Sequence, residues 1–219
     1  VTPAITSGSL DILIANAGLV SAWSGYESLS VLGQDPDHLT RDLNETFNTN
    51  VVGNVHLYNL FMPLILKGSI KKVVVLSSGM ADTELHIKYG IYEGAPYCIS
   101  KVAMNMVTAK FQAEYEKDGV LFMGISPGVV DTGNMGIRMF SHTTRGGYDR
   151  VLTDEIATEE DIRKLAIMGG KFMKYAPHFT GPIKPEESVK AMMDVIGKAS
   201  LANGDAGAFV SHFGNKQWL

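Results

Sequence analysis

The chain carries a single cysteine, Cys98, among 219 residues. A lone thiol has no partner in its own chain, which excludes a disulfide-stapled secreted scaffold and makes the cytoplasm the expected compartment. Long hydrophobic runs are missing too. No apolar stretch approaches the ~20 residues of a membrane span, and Val1-Thr2-Pro3-Ala4-Ile5 lacks the basic start of a signal peptide. Positive charge is scarce: 19 Lys and Arg stand against 23 Asp and Glu, a formal net charge of −4. A nucleic-acid partner is therefore not expected, because phosphate backbones select basic surfaces. The histidines at 38, 56, 86, 142, 178 and 212 form no H-E-x-x-H pattern, and there is no cysteine cluster to hold a metal.

What remains is an ordinary globular composition, 45% hydrophobic and 19% charged, long enough for one domain over residues 1–219. Leu10 to Ala15 is a short apolar run closed by Asn16-Ala17-Gly18, the pattern of a strand buried on both faces. Leu39, Leu43, Phe47, Val51 and Val55 recur every four positions and predict a long helix running toward Pro63, with that stripe inward. Lys71 to Leu76 predicts a second strand, handing over to Ser77-Ser78-Gly79 and a loop from Ala81 to Gly94. After Pro96, the spacing of Ile99, Val102, Ala103, Met106, Val107 and Phe111 predicts a core-facing helix stopped near Gly119. Val120 to Ile125 predicts a third strand ending in Pro127-Gly128, and Ala208 to Ser211 a weak fourth. Between them, Gly133 to Gly181 is longer than a simple connection and predicts a functional lobe. Pro185-Glu186-Glu187 then opens a helix carrying Val189, Met192, Met193 and Ile196. Alternating strands and helices imply an α/β fold with a parallel sheet, whose ligands sit beyond the carboxyl ends of the strands.

Tyr97 and Lys101, four apart on a helix, share a face. An adjacent ammonium and the positive end of the helix both favour phenolate, so the expectation is a tyrosine of lowered pKa, able to act as acid or base. Ser78, at the end of the second strand, is placed to hydrogen-bond a substrate oxygen while Tyr97 moves the proton. Asn50 is placed to orient a relay water toward Lys101. Singly, each has a bland alternative: a surface tyrosine, a strand-closing serine, an asparagine bonding its own helix.

Five ordered motifs change that balance. Asn16-Ala17-Gly18, Asn50-Val51-Val52-Gly53, Ser77-Ser78, Tyr97-Cys98-Ile99-Ser100-Lys101 and Pro127-Gly128-Val129-Val130-Asp131-Thr132 together resemble the short-chain dehydrogenase/reductase family, from about Leu10 to the last residues. The resemblance implies a Rossmann-like, doubly wound parallel sheet and hydride exchange between NADP or NAD and a small alcohol or carbonyl compound. Tyr97 would be the general acid/base, Lys101 its activator and nicotinamide-ribose ligand, Ser78 the substrate-oxygen clamp and Asn50 the relay residue. Asn16, Ala17 and Gly18 would line the adenine-ribose side of the cofactor, with Pro127, Gly128, Val130 and Thr132 around its nicotinamide end. The segment Gly133 to Gly181 looks like the family's substrate-binding loop, where Met139, Phe140, Tyr148, Met168, Phe172 and Met173 suggest an apolar ligand. Helices near residues 40–65 and 97–115 would mediate a homodimer or homotetramer.

Three features depart from the family pattern. Ala15 stands where an Asn is usual, and nineteen positions separate Ser78 from Tyr97, which brings Ser77 into play as the clamp. The chain also lacks the glycine-rich strand-to-helix turn that cradles a pyrophosphate. The family carries that turn in its first strands, so these are expected to be missing and the strand Leu10–Ala15 to form an uncovered sheet edge. The same gap leaves a second reading open: a homologue that binds no dinucleotide and serves as a scaffold or redox-neutral acid/base catalyst. Gly124-Ile125-Ser126-Pro127-Gly128 matches the G-x-S-x-G elbow of serine hydrolases. That reading fails because Pro127, following the serine, has no N–H to donate to an oxyanion.

Overall fold

A computed structural model describes residues 8–131 and 159–219. Four parallel strands lie side by side in the order of the chain: β1 (Ile12–Ala15), β2 (Lys72–Leu76), β3 (Leu121–Ser126) and β4 (Phe209–Ser211). Parallel neighbours require crossover connections, and helices supply them. Between β1 and β2 run α1 (Leu29–Leu32), α2 (Pro36–Phe47), a π-helical turn (Asn48–Val52) and α3 (Gly53–Ile65). Between β2 and β3 lie a 3₁₀ turn (Gly79–Ala81), α4 (Thr83–Tyr89) and α5 (Ala95–Tyr115); between β3 and β4 lie α6 (Glu159–Tyr175) and α7 (Pro185–Lys198).

Both faces of the sheet are covered, as the continuous apolar runs of β2 and β3 require. Val73, Val75 and Phe122 pack with Tyr58, Ile65 and Met104 from α3 and α5 on one side. Val74, Leu121, Met123 and Ile125 meet Met192 and Ile196 of α7 on the other. Lys72, buried between them, donates from Nζ to the carbonyls of Ile196 and Gly197 at 2.7 and 3.2 Å, closing the carboxyl end of α7. Among the described residues β1 lies at the sheet's edge, paired only with β2, and Ile14 is 38% exposed.

Several expectations are corrected. Of the stripe Leu39, Leu43, Phe47, Val51 and Val55, Val51 is buried and Val55 packs against the core, but Leu39 and Leu43 are only half-buried and Phe47 is exposed. The buried face of α2 and its continuation carries Asp42, Thr46, Asn50, Asn54 and Tyr58 besides Val51. Asp42 accepts from Ser24 Oγ at 2.7 Å, and Asn54 donates to the Asn50 carbonyl at 2.8 Å. Asp42, Asn50 and Asn54 thereby satisfy polar groups inside, while the buried hydroxyls of Thr46 and Tyr58 find no hydrogen-bond partner among the described residues. On α5, Ile99, Val102 and Met106 point outward at 45, 38 and 60% exposure, while Cys98, Lys101, Met104 and Phe111 face in. On α7, Val189 and Met193 are exposed, while Met192 and Ile196 are buried.

The stretch Ala81–Gly94 is not a plain loop. Asp82 caps α4 by accepting from Glu84 N at 3.0 Å, and Gly90 ends it at φ 64°. The helix over Pro63 continues through that residue to Ile65. Of the lobe expected over Gly133–Gly181, α6 is described; Thr132, Met139, Phe140 and Tyr148 lie outside the described residues.

Candidate active site

The site forms where β1, β2 and β3 end. Extended backbone carries Ser77 and Ser78 off β2, and Gly94, at φ 67°, turns the chain into α5 with Pro96 in its first turn. Tyr97 therefore enters in the opening turn of a long helix whose amino end meets the carboxyl edge of the sheet, and Lys101 follows one turn later on the same face. The Ser78 side chain lies next to the Tyr97 hydroxyl, close enough to favour its ionised form. Ser77 turns away: its hydroxyl donates to Asn105 Oδ1 at 2.8 Å and is buried. Of the two serines the structure places Ser78 against the tyrosine.

Lys101 is 4% exposed, with its Nζ 5.6 Å from the centre of the Tyr97 ring and donating to the Leu76 carbonyl at 2.7 Å. That is its one hydrogen bond among the described residues, and an ammonium has three donors. Burial with so little compensation pushes its pKa down from 10.5 to about 8. The expected lowering at Tyr97 is overturned. Burial raises its pKa, outweighing the downward pull of the Ser78 side chain, and Cys98 adds to the rise. At neutral pH the phenol is held as an acid.

Asn50 is fully buried in the π-helical turn. Its Oδ1 accepts from Leu19 N at 2.6 Å, and its Nδ2 donates to the Leu19 carbonyl and to Ser100 Oγ, both at 2.9 Å. Ser100 Oγ in turn donates to the Tyr97 carbonyl at 2.6 Å. Asn50 thus staples the loop after β1 to the first turns of α5. It makes no direct hydrogen bond to Lys101, but a Cβ on Gly18 would stand 3.4 Å from both Asn50 Oδ1 and Lys101 Nζ. Asn16, Ala17 and Gly18 are exposed at the end of β1, with Gly18 beside the ammonium.

Beyond β3, Ser188 Oγ donates to the Pro127 carbonyl at 2.7 Å, and Val130 bridges Ile183. Gly128, at φ 82°, lies against His212, whose ring would come within 2.7 Å of any Cβ there. Burial lowers the His212 pKa, keeping the imidazole neutral against the chain. Ser126, the serine of the discarded hydrolase pattern, is buried and accepts from Gly79 N at 3.0 Å. Next to Ser78 opens a cavity of ≈ 40 Å³, walled by Met80, Leu85, Val129, Phe172 and Trp218 among others. Of the lobe residues expected to make it apolar, Phe172 lines it, Met168 is buried and Met173 faces solvent. Sequence reasoning missed Ser100 and Trp218. Ser100 sits three residues after Tyr97, a spacing at which a hydroxyl reaches back to the backbone; nothing local marks Trp218.

A family model described as short chain dehydrogenase matches residues 4–140. Short chain dehydrogenase virK of Hypocrea virens is 47% identical over 218 residues, covering 100% of this chain and 73% of that protein. The chain belongs to the short-chain dehydrogenase/reductase family. It is thereby an oxidoreductase by family, and the α/β parallel sheet is the family's Rossmann-type fold. Short-chain dehydrogenase/reductase iacC of Pestalotiopsis fici is 38% identical over 210 residues, covering 96% of this chain and 70% of that one. Among solved structures, NADPH-bound carbonyl reductase from chicken fatty liver superposes with a TM-score of 0.66 at 21% identity, covering 98% of this chain and 68% of that one. That likeness is one of fold. Among the described residues no helix of this family member is long and apolar enough to cross a membrane.

The buried lysine makes a stability prediction with a definite sign. Its ammonium is penalised only in the folded state, so between about pH 8 and 10.5 the unfolded chain binds more protons than the folded one. The penalty is fully present below that window and is relieved as pH rises through it. Relative to Lys101→Met, the wild-type chain should therefore gain on the order of 2 kcal/mol between about pH 7 and about pH 10, read by urea unfolding. A difference independent of pH would contradict the burial of the charge.

Proposed function

We propose that this chain interconverts a carbonyl and an alcohol on a small, apolar substrate with NADP or NAD, Tyr97 exchanging the proton. The observation that carries the reading is the Ser78–Tyr97 hydroxyl pair beside an apolar cavity, with the Lys101 ammonium buried behind it. A substrate oxygen bound between the two hydroxyls accepts a hydrogen bond from each. Tyr97, half-buried and held neutral by desolvation, is the donor for a reduced oxygen. The phenolate left behind is stabilised by Ser78 and, below about pH 8, by the charge on Lys101. When bound, the nicotinamide supplies or removes a hydride. The residues fit that half of the cofactor: among the described residues two N–H donors of Lys101 have no other partner, and the approach over Gly18 carries no side chain to block it. Asn16, Ala17 and Gly18 would line the adenine-ribose side of the cofactor and Pro127, Gly128 and Val130 its nicotinamide end, together with Thr132, which lies outside the described residues. Asn50 serves as the relay residue by fixing the loop and helix between which a water reaches Lys101. The lone, buried Cys98 supports our reading of a cytoplasmic setting.

The test is loss of reduced-cofactor absorbance with NADPH or NADH and a panel of ketones. Tyr97→Phe should lower kcat/KM by about 10²–10⁴, and Ser78→Ala by about 10²–10³. Ser77→Ala should change it little beyond its effect on folding. Wild-type turnover by Tyr97→Phe would contradict the acid/base assignment. Failure of both cofactors to bind would favour the redox-neutral or scaffold alternative.

We further propose a homodimer or homotetramer built on the outward stripes of α2 and α5. Phe47 is 39% exposed, and the exposed Ile99, Val102 and Met106 repeat at helical spacing. Such contiguous apolar surface marks interfaces. Paired Ile99→Glu and Met106→Glu substitutions should shift the mass measured by light scattering to that of one chain. An unchanged mass would place the interface elsewhere.

A further inference from the structure

The segment after β4 folds back across the candidate site. Trp218, 2% exposed, donates from Nε1 to Asp82 Oδ2 at 2.8 Å and from its backbone N to Tyr175 Oη at 2.9 Å. Its ring stacks on Phe209 with centroids 4.5 Å apart and an interplanar angle of 21°. Its underside rests on Gly79, the residue after Ser78, so closely that a Cβ on Gly79 would lie 2.6 Å from that of Trp218. Three separate elements therefore fix one indole: the cap of α4, the end of α6 and strand β4. The same indole walls the cavity into which Ser78 opens.

The long spacing between Ser78 and Tyr97 acquires a purpose here. Asp82 and α4 occupy it, and Asp82 has two tasks, one oxygen capping the helix and the other holding the indole. We propose that Trp218, positioned by Asp82, is the residue that limits the size of the substrate's shorter arm. This rests on the oxidoreductase reading above and adds a substrate class to it: secondary alcohols and ketones with one short, unbranched apolar arm. Met80, Leu85, Val129, Phe172 and Trp218 offer that arm no polar partner, while Ser78 marks where the oxygen sits. A volume of ≈ 40 Å³ takes roughly three water-sized groups, an arm of ethyl to propyl length.

Symmetrical carbinols vary both arms together and so leave no choice of which enters. Dimethyl, diethyl, dipropyl and dibutyl carbinol would be oxidised by the full chain with either cofactor. The wild type should lose about tenfold or more in kcat/KM from dipropyl to dibutyl carbinol. Trp218→Ala and Asp82→Ala should abolish that step, and Asp82→Asn, which keeps an acceptor for the indole, should restore it. The second readout needs no turnover. Only Trp23 and Trp218 are present, so a Trp23→Phe chain reports Trp218 emission alone, which diethyl carbinol should shift and dibutyl carbinol should not. Turnover with the wild-type ranking kept in Trp218→Ala would overturn the assignment while leaving the oxidoreductase reading intact. A size-dependent emission shift without turnover would support the wall and contradict that reading. Emission unchanged by every carbinol that is turned over would also overturn the wall.

Discussion

The structure turns on the burial of one ammonium group. Lys101 is drawn beneath Tyr97, where the end carbonyl of β2 takes one of its donors and little else compensates its charge. A buried, under-satisfied cation is costly. The site retains it by packing α5 tightly against the sheet through Met104 and Phe111, while Asn50 and Ser100 hold the first turns of that helix to the loop after β1. The same burial shapes the tyrosine. In low dielectric the phenol keeps its proton, and Ser78 is the one side chain that eases ionisation. A neutral phenol and a poorly solvated ammonium form a pair in which the proton leaves readily only when something accepts it.

The strands were legible in the sequence because strands of a parallel sheet read as unbroken apolar runs, even β1, which is half-buried at the edge. Leu10–Ala15, Lys71–Leu76 and Val120–Ile125 all contain the observed elements to within a residue or two. The motif residues were legible too, since Tyr97, Lys101 and Ser78 depend only on helical spacing and on the end of a strand. Helix orientation was not. Ile99, Val102 and Met106 share a face, but periodicity shows that a face is apolar and not which neighbour it meets. On α2 the inward row is Asp42, Thr46, Asn50 and Asn54, polar residues whose partners lie far off in sequence, such as Ser24 and Leu19.

The electrostatic expectation failed for a related reason. Sequence shows that a lysine follows a tyrosine by one turn, and charge proximity alone then argues for phenolate. It does not show that both groups are desolvated, and desolvation is the larger effect at each. Trp218 was invisible for want of any local pattern. Its role depends on Asp82, 136 positions earlier, and on Tyr175, 43 positions earlier. Contacts of that reach are written in the fold, not in spacing.

The protonation state of Tyr97 tests the account most directly. With ¹³Cζ-labelled tyrosine and Tyr97→Phe to assign the resonance, the shift can be followed against pH in the free protein. The Tyr97 signal should stay that of a neutral phenol through the ordinary tyrosine pKa of 10.0. A signal that moves to phenolate at or below neutral pH would contradict the claim that burial governs the pair.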